Sequence, residues 1–172
     1  MLKVARDLLI RNARREDWKL IYLIRRRDSV FRFLGGARAP SAEQVRNQWF
    51  ARLAEPRVRT MVALSEGKAV GYVRLKRGES LGSHSGEISA IAVHPDFHGK
   101  GIGRRLMEEA LDVARGLGLR RTWLTVTEDN YVAIHLYVRM GFEVEGRERE
   151  AVRRRRKYID LLVMGRLERK RN

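Results

Sequence analysis

Apolar and polar positions along this chain alternate between a strand-like and a helix-like period. Leu8-Leu9-Ile10 reads as a short first strand, and Trp18, Ile21, Tyr22 and Ile24 then recur at helical spacing. Gly35-Gly36 breaks the chain, and Ser41-Ala42-Glu43-Gln44 has the form of a capping box that should open a second helix running to about Ala54. Thr60 to Ser65 and Ala69 to Lys76 are β-rich runs joined by Glu66-Gly67-Lys68, the pattern of a hairpin. Glu87 to Val93 is a further strand, ended by His94-Pro95-Asp96. From Gly103 onward Leu106, Ala110, Val113 and Leu117 keep one apolar face with Ile102, and Gly116 and Gly118 end that helix. Thr122 to Val126 is a strand and Asn130 to Met140 a helix closed by Gly141; Glu143 to Arg149 and Tyr158 to Met164 are two last strands. The order β-α-α-β-β-β-α-β-α-β-β predicts an α/β sandwich around a mixed sheet. No repeat, low-complexity stretch or linker divides residues 1–172, so a single domain is expected.

Composition narrows the chemistry. The chain has no cysteine, which removes disulfides, thiolate metal sites and cysteine nucleophiles. Of its histidines only His94 and His98 stand close together, and Pro95 between them argues against a helical ligand pair, so no metal is expected. No apolar run approaches the roughly 20 residues that span a bilayer. The first seven residues are too short and too charged for a signal peptide, and a cytoplasmic protein that does not engage membrane is the expectation. The 37 Lys and Arg against 21 Asp and Glu give a net charge of +16. That excess favours polyanionic ligands, nucleic acid or acidic protein surfaces; heavy Arg use with scarce Asn, Gln and Cys equally fits adaptation to heat.

Val93-His94-Pro95-Asp96-Phe97-His98-Gly99-Lys100-Gly101-Ile102-Gly103-Arg104 carries the clearest chemical signal. A strand ends, a glycine-rich turn follows and a helix begins at once. Glycines let the backbone approach a ligand closely, and a helix N-terminus presents unpaired amides with partial positive charge, so the loop can cradle a pyrophosphate. Lys100, Arg104 and Arg105 add full charge. The loop lacks the Gly-Lys-Ser/Thr ending of a P-loop, and the third glycine of the dinucleotide fingerprint falls on Arg104 or Leu106.

This segment resembles the signature of the GNAT acetyltransferases, which is Arg or Gln, two residues, Gly, one residue, then Gly or Ala. Here it reads His98-Gly99-Lys100-Gly101-Ile102-Gly103, with His98 as the departure. Downstream, Asn130-Tyr131-Val132-Ala133-Ile134-His135-Leu136-Tyr137-Val138-Arg139-Met140-Gly141-Phe142 is similar to the family's Asn-x-x-Ala-x-x-Leu-Tyr-x-x-x-Gly-Phe helix. The resemblance implies a mixed, mostly antiparallel central sheet flanked by helices, with acetyl-CoA as cosubstrate and no metal. It implies that Ile91, Ala92 and Val93 bind the pantetheine arm in the manner of an added strand, and that a backbone amide there polarises the thioester. It places His98, Gly99, Lys100, Gly101, Ile102, Gly103 and Arg104 on the pyrophosphate, Asn130 and Ala133 on the far side of the cofactor, and Tyr137 beside its sulfur as the proton donor to the leaving thiolate.

An amine with a pKa of about 10 is mostly protonated at neutral pH, so a general base or relayed water is useful. Glu87, at the start of the central strand, is the candidate; an exposed strand-end carboxylate is the alternative reading. Periodicity alone would make Tyr137 a half-buried aromatic of an amphipathic helix. The endings Glu145-Gly146 and Tyr158-x-Asp160 look like members acting on small amines such as amino acids, whereas Leu124-Thr125-Val126 lacks the Glu that ribosomal-protein-type members carry there. A protein N-terminal or lysine acetyltransferase stays open, as does a non-catalytic protein binding nucleic acid or ribosome through its basic surface, and a homodimer. Arg153-Arg154-Arg155-Arg156-Lys157 should form a solvated hairpin tip or a docking site for such a partner. Phe31, Arg32 and Phe33 line the acceptor pocket or serve as packing.

Overall fold

The computed structural model describes residues 7–34 and 39–168, so the expected break at Gly35-Gly36 lies outside the described residues. Strand β1 (Leu9–Asn12) leads into α1 (Trp18–Arg25), α2 (Asp28–Phe31) and α3 (Ala42–Ala54). The hairpin β2 (Val58–Ser65) and β3 (Lys68–Arg77) is followed by β4 (Ser85–Val93), α4 (Ile102–Gly116), β5 (Arg121–Thr127), α5 (Tyr131–Arg139) and the long hairpin β6 (Glu143–Arg154) and β7 (Lys157–Leu167). The strands form one sheet in the order β1-β2-β3-β4-β5-β7-β6. Every pairing is antiparallel except β4 with β5.

Local chemistry explains where these elements start and stop. The capping box forms as expected: the Gln44 amide donates to Ser41 Oγ at 3.1 Å, and the Ser41 amide donates to Gln44 Oε1 at 2.9 Å. Glu66 and Gly67 both take positive φ, at 51° and 74°, which is the two-residue turn that matches strand twist in a hairpin. At the end of α4, the Leu119 amide donates to the Ala114 carbonyl and the Gly118 amide to that of Arg115, with Gly118 at φ 70°. That is a Schellman closure, sealed by the buried Leu119. β1 is tied to the start of α1 by a bidentate pair, Arg11 to Asp17 at 2.8 Å on both arms, with Asp17 3% exposed. Burial works against the Asp17 carboxylate, but Arg11 and the Arg14 amide outweigh it and hold its pKa below the ordinary carboxylate value.

Two apolar layers result. On one face α4 and α5 pack Ile102, Leu106, Met107, Ala110, Leu111 and Tyr137 against Val73, Leu75, Ile88, Leu124 and Val126. On the other, α1 and α3 pack Ile21, Ile24, Val45 and Trp49 against Val62, Tyr72 and Ala92. Three expectations are corrected in detail. The first strand starts and ends later than Leu8-Leu9-Ile10. The four-residue α2 was not anticipated, being too short to show a period. The last two strands run on to Arg154 and Leu167, with register shifts at Gly146 and between Glu148 and Val152 taking up their irregular pairing.

Candidate active site

The site begins with a defect in strand pairing. β4 and β5 run parallel, but their register holds only for Ser85–Glu87 against Arg121–Trp123. Beyond Glu87 the two strands part. β4 stays bonded to β3 as far as Gly71 with Val93, while β5 stays bonded to β7 as far as Thr127 with Leu161. One edge of residues 88–93, which include Ile91, Ala92 and Val93, is thus left without a strand partner, and an unpaired edge is a template for an extended ligand. A register shift in β4 between its partners Arg74 and Leu75 leaves Ser89 out of the ladder. Ile91 and Val93 turn to the α4 face, and Ala90 and Ala92 to the α1–α3 face.

The open end of this cleft is the glycine loop. Gly99 and Gly101 take φ of 74° and 77°, conformations that cost other residues free energy, and a Cβ on either would meet nothing within 4 Å. The space beside both glycines is therefore open. Gly101 is the N-cap of α4, and no side chain caps that helix, so its first-turn amides remain available. Gly103 lies against α5, where an added Cβ would stand 3.5 Å from Leu136 Cδ2. Lys100 Nζ sits 4.6 Å from the Phe97 ring centre, and Arg104 pairs with Glu108 at 2.9 Å, leaving both cations at the loop surface. His98, though exposed, turns back on the chain: its Nε2 donates to the Val93 carbonyl at 2.9 Å and braces the loop against the end of β4. The larger Arg or Gln of the family signature is thus replaced by a residue engaged with its own backbone.

α5 presents Tyr137 to the floor of the cleft. Asn130 caps this helix, its Oδ1 accepting from the Ala133 amide at 3.4 Å. Both residues therefore serve the start of α5, whatever they offer a ligand. At its other end the Phe142 amide donates to the Tyr137 carbonyl and the Gly141 amide to that of Val138, with Gly141 at φ 83°. This second Schellman closure stacks Phe142 against Tyr137, ring centres 6.0 Å apart. Tyr137 is 6% exposed and packs in the same cluster as Ile88 of β4 and Leu124 and Val126 of β5, where those strands diverge. Its hydroxyl has no hydrogen-bond partner among the described residues, and burial pushes its pKa well above the ordinary phenol value.

Glu87 occupies the inner end of the cleft, at the last position where β4 and β5 still pair, opposite Lys76 and Trp123. A small depression of about 180 Å³ beside it is lined by Arg57, Lys76, Glu79 and Trp123. A larger hollow of about 680 Å³, at Arg149, Glu150 and Asp160, lies on the β6–β7 hairpin away from the cleft. Val93 lies six positions after Glu87, about 20 Å along the strand, so the glycine loop and Glu87 mark opposite ends of a long site.

The link after α2 is packed rather than open. Phe33 is flanked by the Arg32 guanidinium at 4.6 Å and that of Arg154 at 5.2 Å. Arg154 also pairs with Asp129 and donates to the Arg32 carbonyl at 3.0 Å. That corrects the expectation of a fully solvated basic run: Arg154 ties the hairpin to the loop before Asn130, while Arg153, Arg155, Arg156 and Lys157 stay exposed. Among the described residues no three His, Cys, Asp or Glu side chains gather as a metal set, and no helix is long and apolar enough to cross a membrane.

A splayed parallel pair with a glycine loop and an uncapped helix start at its mouth forms a cleft open to an extended, phosphate-bearing ligand. Residues 18–142 match the model of the Acetyltransferase (GNAT) family, and the chain belongs to that family. It is 28% identical over 165 residues to the L-amino acid N-acetyltransferase AaaT of Escherichia coli, covering 94% of this chain and 99% of that protein. It is 40% identical over 101 residues to the N-alpha-acetyltransferase RimI of Mycobacterium tuberculosis, covering 59% of this chain. The alignments reach 58% to 62% of the length of the mycobacterial relatives. A Brucella melitensis ribosomal-protein-alanine N-acetyltransferase superposes with a TM-score of 0.81 at 27% identity, over 93% of this chain and 99% of that one.

Proposed function

We propose that the protein is an acetyl-CoA-dependent N-acetyltransferase acting on the primary amine of a small molecule. The observation that carries this reading is the parting of β4 from β5 after Glu87, with the glycine loop at its mouth and an unbonded tyrosine hydroxyl in its floor. The residues fit acetyl-CoA: the unpartnered edge at Ile91, Ala92 and Val93 suits the amides of a pantetheine arm, and the uncapped start of α4 with Gly99, Gly101, Gly103, Lys100 and Arg104 suits a pyrophosphate. When bound, that cosubstrate supplies an acetyl group on a thioester.

The transfer makes a carbon–nitrogen bond and breaks a carbon–sulfur bond: an acceptor arriving as its ammonium gives up two protons, one to free the lone pair and one after attack, while the thiolate takes up one and the surplus proton passes to solvent. Tyr137 is the donor. A phenol of ordinary pKa about 10 is about 1.5 units weaker than a thiol of about 8.5, a gap of roughly 2 kcal/mol. Burial raises Tyr137, but the same apolar surroundings raise a neighbouring thiol, so the gap stays small enough for a hydrogen bond to stabilise the developing charge. Glu87 takes the amine proton, directly or through water, from the α1–α3 face. No step needs a covalent link to the protein.

Acceptance of a protein amine is the second reading, supported by the similarity to the N-alpha-acetyltransferase RimI. The test is thiol release from acetyl-CoA, followed with a disulfide reagent, against amino acids, polyamines and N-terminal peptides. The chain has no cysteine to add background. Turnover with one amine class, reduced in Glu87→Gln, supports the reading and chooses the acceptor. Failure to bind acetyl-CoA refutes it.

A further inference from the structure

Arg74 is a half-buried cation that no carboxylate contacts among the described residues. It lies on β3 between Tyr72 and Lys76, and the alternation of the strand turns all three to the sheet face covered by α1 and α3. Its cross-strand partner is Ala90, and that of Tyr72 is Ala92, so β4 offers only small side chains in front of the guanidinium on the cleft side. Arg74 Nε is sealed from solvent and has no hydrogen-bond partner among the described residues, while the two terminal nitrogens are not sealed. The nearest aromatic contact is the Tyr72 ring, 5.9 Å from the guanidinium carbon.

The charges around it do not compensate. Glu55 is the carboxylate acting on Arg74, and it is already shared among Arg52 at 3.0 Å, Arg57 at 3.6 Å and Lys76 at 3.7 Å. Arg25 and Arg52 add repulsion, and Arg25 itself donates to Gln48 at 3.0 Å. An arginine cannot shed its proton inside a protein, so one whose Nε is sealed and unpartnered carries a cost that a neutral side chain of similar volume would not. The geometry offers a guanidinium that no carboxylate contacts among the described residues, on the same sheet face as Glu87, the candidate amine-side group. Positions so related across two strands lie roughly 7–8 Å apart, a span suited to a short molecule with an anion at one end and an amine at the other.

We infer that Arg74 binds the acid group of the acceptor, so that the substrate is a small molecule bearing a primary amine and a carboxylate on the same or neighbouring carbons. The inference rests on the acetyltransferase reading above and makes Arg74 the specificity-determining residue of its acceptor side. A carboxylate meets a guanidinium through two parallel hydrogen bonds, which orients the amine as well as holding the acid.

The test compares the L-amino acids with their own carboxamides and with spermidine in the thiol-release assay, using wild type, Arg74→Met and Arg74→Lys. The wild type should prefer at least one free acid over its amide by about 10- to 100-fold in kcat/KM, as expected for hydrogen bonds to a charged group. Arg74→Met should reduce that preference to within about threefold, chiefly through KM, and Arg74→Lys should restore part of it. The melting temperature of Arg74→Met should equal or exceed that of the wild type, since a half-buried cation with an unpartnered Nε has gone. Equal use of acids and amides, an intact preference in Arg74→Met, or turnover confined to spermidine overturns the inference and leaves the acetyltransferase standing. So does a protein that binds acetyl-CoA yet is neither turned over nor thermally stabilised by any free amino acid. Loss of acetyl-CoA binding in the wild type would instead overturn the acetyltransferase reading, and this inference with it.

Discussion

Replacing Tyr137 by Phe separates the chemistry of this side chain from its packing. The ring is 6% exposed and stacked against Phe142, and Phe keeps that contact along with the Schellman closure that fixes it. What leaves is a hydroxyl with no hydrogen-bond partner among the described residues and not sealed from solvent. The folded protein should therefore stay within about 1 kcal/mol of the wild type. Turnover should move the other way: loss of proton donation to the leaving thiolate should lower kcat by about 10²- to 10⁴-fold, or roughly 3–5 kcal/mol of transition-state stabilisation. Thiol release at saturating acetyl-CoA and acceptor, beside a thermal melt of the same preparation, measures both. A variant that turns over within about threefold of wild type would refute the donor role. One that loses kcat together with several kcal/mol of stability would show that the hydroxyl serves the fold.

The same burial gives a pH prediction. Tyr72 and Tyr137 both titrate above the ordinary phenol value because burial penalises their ionised forms. Above about pH 10 the unfolded chain loses these protons while the folded chain keeps them, so stability should fall by up to roughly 1.4 kcal/mol per pH unit per tyrosine, and chemical denaturation of Tyr137→Phe should show a shallower decline. Gly101→Ala places a side chain at φ 77°, costing about 1–2 kcal/mol of backbone strain although its Cβ meets nothing, and should weaken acetyl-CoA binding about tenfold by calorimetry. Gly103→Ala, with ordinary φ and a 3.5 Å contact to Leu136, should bind within about threefold of wild type. Neutralising Arg153, Arg155, Arg156 and Lys157 together should leave the melt within about 0.5 kcal/mol, whereas Arg154→Gln alone should cost about 1 kcal/mol or more through Asp129.

Much of this architecture is legible in residue patterns because its signals are local. Ser41 with Gln44, Glu66-Gly67, Gly118 and Gly141 each encode a start, turn or stop within a few residues, and the structure uses all of them. The glycine loop is legible for the same reason. The cleft itself is not, because it depends on how far Ser85–Glu87 stays in register with Arg121–Trp123, segments joined only through α4. Nothing in either strand announces where the pairing stops. The long β6–β7 hairpin was under-read because its charged side chains, exposed on both faces of an edge strand, hide the alternation. Arg74 gave no sequence signal either. One cation in an alternating strand reads as a solvent-facing residue, and only the packing of α1 and α3 over that face makes it a half-buried one.

The net charge of +16 takes on a different meaning once it is placed on the fold. Many acids are already engaged: Asp17 by Arg11, Glu55 by three cations, Glu108 by Arg104 and Arg105, and Asp129 by Arg154. Other cations stay exposed, among them Lys100 at the start of α4 and Arg153, Arg155, Arg156 and Lys157 at the hairpin tip. A pyrophosphate at the glycine loop would meet Lys100 directly and would compete with Glu108 for Arg104 and Arg105. At the hairpin tip Arg154 is tied to Asp129, so any attraction of a polyanion there would reside in Arg153, Arg155, Arg156 and Lys157, whose removal should change salt-dependent association without touching acetyl transfer to a small amine.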